Sequence, residues 1–118
     1  MKNFYFDEFK IEIYVPEEYI IPLRDALNKI KACRVGDYDN VMSITNVRGY
    51  WRPLESATPF NGDKNEINEG TECKIEIRCK EEYVNDALDV IKRIHPYEEP
   101  LVNIIPLANS FFINSVDE

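Results

Sequence analysis

The sequence holds a single histidine, a single tryptophan and four glycines in 118 residues, and each scarcity removes a class of reading. One histidine cannot build a multi-histidine metal centre within one chain, because transition-metal sites normally take three or four protein ligands. Three cysteines, none in C-x-x-C spacing, supply neither a disulfide framework nor a zinc ribbon. No apolar run approaches the roughly 18 residues needed to cross a bilayer, and Met1 to Lys10 lacks the apolar stretch of a signal peptide. A cytosolic protein with no membrane partner is therefore expected. Basic residues are also in the minority: 14 Lys and Arg stand against 22 Asp and Glu, for a net charge of −8. Acids and bases nearly balance up to residue 59, so the acidity is concentrated in the C-terminal half. That surface repels phosphate backbones and has no basic stripe, so no nucleic-acid partner is expected.

What remains is the composition of one folded domain, 44% hydrophobic and 31% charged, long enough to bury about two-thirds of its unfolded surface without disulfides. We read residues 1–8 as an N-terminal tail or short packing arm, 9–107 as the domain and 108–118 as a C-terminal tail. Phe9, Ile11, Ile13 and Val15 alternate with Lys10, Glu12 and Tyr14, the period of a strand with one face on a core. Glu17 and Glu18 suit a helix start, and Tyr19, Leu23, Ala26, Leu27 and Ile30 then fall on one helical face. Pro22 would disrupt a helix interior, which places the regular helix near Ile21. Val41 to Val47 predicts a second strand, extending through Trp51 past a bulge at Gly49. Leu54 to Gly70 lacks a period and predicts a long, mobile loop with few apolar anchors. Cys73, Ile75, Ile77 and Cys79 alternate with charged residues as a third strand, both thiols facing the core, whereas Cys33 after the first helix is the more accessible thiol. A second helix follows with Val84, Ala87, Leu88, Ile91 and Ile94 on its apolar face, and Leu101 to Ile105 is a fourth strand.

The order β-α-β-β-α-β predicts an α+β, ferredoxin-like sandwich: a four-stranded antiparallel sheet with two helices on one face. The other face is left uncovered, and self-association through the sheets is the expected solution. Between the second helix and fourth strand lies His95-Pro96-Tyr97-Glu98-Glu99-Pro100. Pro96 must stop the helix, and Pro100 makes Glu99 extended. An imidazole, a phenol and two carboxylates are thus fixed on a short corner.

Four stretches together resemble a known family: Tyr14 to Tyr19 (YVPEEY), Arg34 to Asp39 (RVGDYD), Gly49 to Glu55 (GYWRPLE) and His95 to Pro100 (HPYEEP). The chain is similar, over about residues 9–107, to the domain inserted in many bacterial Nif-three-like (NGG-interacting-factor) proteins. The last motif is shared more loosely with the CutA divalent-cation tolerance proteins. Both resemblances imply a PII-like ferredoxin fold that tends to form trimers. The dinuclear metal site of the larger Nif-three-like proteins lies on flanking domains, and one histidine does not supply it.

Three functions compete. The first, which we adopt, is a small non-catalytic binding or regulatory module, a homotrimer holding a small molecule in clefts between subunits. Arg34, Arg48 and Arg52 would fork onto carboxylates or phosphates, and Trp51 would offer a stacking face. The alternative is a divalent-cation binder with His95, Glu98 and Glu99 as ligands, its donor number completed across a trimer. In that event the cofactor is a divalent metal; otherwise none is expected. The third, an enzyme with Cys33 or Cys79 as nucleophile and His95 as base, lacks an oxyanion turn, so no catalysis is expected. Pro96, Tyr97 and Pro100 are read as structural.

Overall fold

A computed structural model describes residues 5–112. Four strands, β1 (Glu8–Val15), β2 (Ser43–Trp51), β3 (Asn68–Lys80) and β4 (Val102–Pro106), form one sheet in the order β2-β3-β1-β4, with every neighbouring pair antiparallel. Helices α1 (Ile20–Lys29) and α2 (Glu81–Ile94) complete the ferredoxin-like β-α-β-β-α-β order.

The core follows from the two periods. Ile11, Ile13 and Val15 of β1 and Ile75, Ile77 and Cys79 of β3 point to one side, where they meet Leu23 and Leu27 of α1 and Ala87, Val90 and Ile91 of α2 in one buried cluster. Both helices therefore cover the same face. Pro22 is accommodated because a short 3-10 turn, Glu17–Tyr19, precedes α1 and puts the proline at its third residue, where the missing N–H has no helical partner to lose. In α2, Glu81 and Glu82 stand at the positive end of the helix dipole and Lys92 and Arg93 at the negative end.

Three expectations need correction. The strand β2 pairs without a bulge, Gly49 standing directly opposite Gly70. The strand β3 begins at Asn68, so the connection after β2 is 52–67 rather than 54–70. Cys33 is fully buried with the helices, and burial pushes its thiol up to about 11. Native protein should therefore leave Cys33 unlabelled by a thiol reagent such as iodoacetamide at pH 8, and unfolding should expose it. Rapid labelling of the native chain would contradict this packing.

The opposite face of the sheet is polar rather than apolar. Lys10 bridges Glu12 and Glu76 at 3.4 and 3.3 Å, Lys74 reaches Glu76 at 3.5 Å, and Arg78 reaches Glu8 at 3.3 Å. Because Glu12 and Glu76 are directly opposed, the lysines offset a like-charge pair. Apolar side chains are exposed on both edge strands, at Ile44 and Tyr50 of β2 and at Ile104 and Ile105 of β4, and at Leu101 just before β4. Within the 1–8 arm, Phe6 packs on Phe111 with centroids 4.9 Å apart, and Ala108–Phe111 forms a 3-10 turn. Residues 1–4 and 113–118 of the two expected tails lie outside the described residues.

Candidate functional site

The site exists because the strands end at different heights. Strand β1 stops at Val15 against Cys73, while β2 and β3 continue as a two-stranded ribbon to Trp51 opposite Asn68. Two segments distant in sequence fold against this overhang, the 52–67 connection and the His95–Pro100 corner. They enclose a cleft of about 870 Å³.

Trp51 forms one wall. Its ring lies over Gly70, where a Cβ would stand 3.1 Å from the indole, and Gly62 closes from the other side, where a Cβ would come within 2.7 Å of Nε1. Gly62 has φ +95°, a conformation that favours glycine over residues with a Cβ. The indole N–H donates to Asn61 O at 3.1 Å. The tryptophan is thus held in place by the connection that follows it and still borders the cleft.

The corner forms the other wall. Strand β1 fixes it twice: Tyr14 N–H donates to Leu101 O at 3.2 Å, and His95 Nε2 lies 2.6 Å from Tyr14 O. The second contact requires a proton on Nε2, leaving Nδ1 to accept the Tyr97 N–H at 3.2 Å. His95 is buried and its pKa falls below the ordinary 6.5, chiefly because burial disfavours the imidazolium. Tyr97 reaches back to β3, its hydroxyl donating to Glu72 Oε1 at 3.0 Å. Burial first, and then the bond to Glu72, raises the phenol pKa, so Tyr97 remains a neutral donor.

The connection has few apolar anchors, as its composition predicts, and is tied to the rest of the fold at particular points. Phe60 packs between Tyr19 and Tyr97, with ring centroids 6.3 and 5.9 Å away, and Thr58 N–H donates to Glu98 Oε1 at 2.9 Å. Asn65 donates to Glu55 Oε2 at 2.7 Å within the connection.

Among the arginine and tryptophan candidates, the cleft gathers Trp51 and Arg52. Arg48 pairs with Thr71, on the ribbon face away from Trp51, and meets Glu69 at 3.3 Å. Arg34 donates to Gly36 O in a separate turn closed by the Val35–Tyr38 bridge. Of the metal candidates, Glu98 and Glu99 line the cleft, whereas both nitrogens of His95 are engaged by the backbone. Among the described residues no group of three His, Cys, Asp or Glu side chains is arranged to hold an ion. Tyr97 bonds to Glu72, α2 ends at Ile94 two residues before Pro96, and Pro100 precedes β4. Cys33 and Cys79 are both in the core, with the Cys79 thiol pushed up to about 12 by burial, and the His95 ring bonds to neither. Sequence reasoning missed Glu72 and Phe60. The first looked like one more solvent-facing charge in an alternating strand. The second was a lone apolar residue in a polar segment, and that isolation was the available signal.

The His95 environment has a pH consequence. Below pH 6.5 the unfolded chain takes up a proton that the native imidazole resists, so stability falls as pH drops from 6.5 toward the lower native pKa. Imidazole NMR titration should give a midpoint below 6.5, with the Nε2–H tautomer at neutral pH. A native midpoint above 6.5 would reverse the sign.

No protein-family model matches the chain. It is 31% identical over 101 residues to a protein of Halalkalibacterium halodurans named GTP cyclohydrolase 1 type 2 homolog, covering 86% of this chain and 27% of that protein. The chain thus spans about a quarter of the length of the curated relatives it matches. Among solved structures, a Bacillus cereus protein related to NIF3 superposes with TM-score 0.76 at 21% identity, covering 92% of this chain and 28% of that one. The periplasmic divalent cation tolerance protein CutA of Archaeoglobus fulgidus superposes with TM-score 0.67 at 17% identity, covering 93% and 91%. Over most of its length, then, the chain is a homologue of a segment of the GTP cyclohydrolase 1 type 2 homologs, and it shares the ferredoxin-like fold of NIF3-related and CutA proteins.

Proposed function

We propose that this chain is a non-catalytic binding or regulatory module that holds a small molecule in the cleft beside the overhanging β2–β3 ribbon. The observation that carries the reading is the convergence of three separate segments, the ribbon, the 52–67 connection and the 95–100 corner, around one cavity. Ligand sites are commonly such concave, mixed apolar and polar surfaces. Self-association, as a trimer, belongs to the same reading. It is supported by the apolar side chains exposed along β4 and by Leu101, which precedes that strand and also borders the cleft, so a copy seated there would adjoin the ligand.

A cation-binding role is the second reading, favoured by Glu98 and Glu99 at the cleft and by the fold shared with CutA. It would draw on His95 only after the imidazole gave up the Tyr97 N–H. The cyclohydrolase in the relatives' name concerns proteins of which this chain spans 27–28%, and we propose no such activity for it.

The test is a thermal-shift screen of metabolites and divalent metals, followed by fluorescence of Trp51, the single tryptophan. A binder should raise the melting temperature and change the Trp51 emission. The cleft reading fails if no compound does both at millimolar concentration. A metal that raises the melting temperature without moving Trp51 would favour the second reading. Light scattering that finds a monomer at micromolar concentration would remove the trimer.

A further inference from the structure

The walls of the cleft say what kind of molecule fits it. Resting on the binding reading above, we infer that the ligand is a small organic cation, an amine or guanidinium carried on an apolar body. The argument begins with charge. Glu72, Glu98 and Glu99 line the cleft, and Arg52 is the one cationic side chain among its lining residues. A further bordering carboxylate, Glu69, is turned to Arg48 and does not enter the count. Phosphorylated ligands are held by clustered cations and backbone N–H groups, and this composition disfavours them.

Aromatic faces supply a second, independent line. Tyr14, Trp51, Phe60 and Tyr97 all line the same space, and ring faces attract cations while offering area to an apolar body. Capacity for new bonds is the third. Glu72 accepts the Tyr97 hydroxyl on Oε1 and Glu98 accepts the Thr58 N–H on Oε1, yet a carboxylate has about four lone-pair sites, so both can accept from a ligand ammonium without losing those bonds. A bare metal ion matches the space poorly, because about 870 Å³ is molecule-sized and no three-donor group converges among the described residues.

The experiment uses three probes of one shape that differ in charge: phenethylamine, 2-phenylethanol and 3-phenylpropionate. None absorbs where Trp51 is excited, so its emission reports binding to the intact chain. Phenethylamine should bind about tenfold more tightly than 3-phenylpropionate, with the alcohol between them, and added salt should narrow the gap. Glu99→Gln, an exposed position, should reduce that preference while leaving the melting temperature unchanged. Equal or tighter binding of the carboxylate would overturn the cationic assignment and leave the cleft reading standing. Binding by none of the three would also overturn it, and the metabolite screen then decides separately whether the cleft binds anything.

Discussion

Replacing Tyr97 by alanine should lower stability by about 3 kcal/mol and release the wall of the cleft. The ring is packed against two others, with centroids 5.9 Å from Phe60 and 4.7 Å from His95, and its hydroxyl holds Glu72 at 3.0 Å. Truncation removes all of these contacts together. Of its described ring contacts Phe60 would then keep the edge contact with Tyr19, so the 52–67 connection should loosen as well. Tyr97→Phe separates the contributions: it keeps the ring and loses one hydrogen bond to a part-exposed carboxylate, for a cost of about 1 kcal/mol. Urea denaturation followed by Trp51 fluorescence measures both. If the alanine variant lost less than the phenylalanine variant, ring packing would not be what secures the corner.

The corner was legible in the sequence because its constraints are local. Pro96 ends α2 whatever surrounds it, and a tyrosine between prolines has few places to put its ring. The four strands and two helices were legible for a related reason, since period-two and period-3.6 patterns such as Ile11-Ile13-Val15 and Val84-Ala87-Ile91 report which side meets a core. The start of β3 was not legible. Asn68 and Gly70 are turn-forming residues in isolation, and they become strand only because β2 continues opposite them. Strand register likewise bears on which candidates meet. Arg48 and Trp51 are three residues apart, so on a pleated ribbon they face opposite ways, and Arg48 is held by Glu69 across the strand pair rather than among the cleft residues. Nothing in the residue types announces this. Arg34 failed to join for a different reason: its own turn captures it, through the bond to Gly36 O. The depth of Cys33 was hidden because it depends on where the chain after α1 crosses the helices. Lys31 turns the chain there with φ 69°, a value the residue type does not suggest.

The uncovered face and the edges of the sheet differ in a way that bears on assembly. The uncovered face is threaded by ion pairs that are partly exposed and individually worth under about 1 kcal/mol. Covering that face with another copy would remove these charges from water, which is costly unless the partner supplies matching groups. The two edge strands carry fewer charges and more exposed apolar surface, Ile44 and Tyr50 on β2 and Ile104 and Ile105 on β4, so contact along an edge removes fewer charges from water than contact through the face.

Gly62→Ala should unseat Trp51 at a cost of about 2–3 kcal/mol. Two penalties coincide at this position. The backbone stands at φ +95°, which strains any residue with a Cβ, and the added methyl would lie 2.7 Å from Trp51 Nε1. A side chain can often swing away from such a contact. Here it cannot do so freely, because the far edge of the indole already rests close on Gly70, where a Cβ would stand 3.1 Å from the ring. The indole should therefore lose its bond to Asn61 O, and its emission should shift to the red as water reaches the ring. Gly36→Ala is the matched control. It has φ +57° with nothing within 4 Å of its would-be Cβ, so it should cost about 1 kcal/mol for backbone strain alone and leave the emission unchanged. Thermal melts and emission spectra of the two variants, side by side, isolate the steric part. If they lost equal stability and Trp51 kept its native emission in both, the indole would not be clamped between the two glycines.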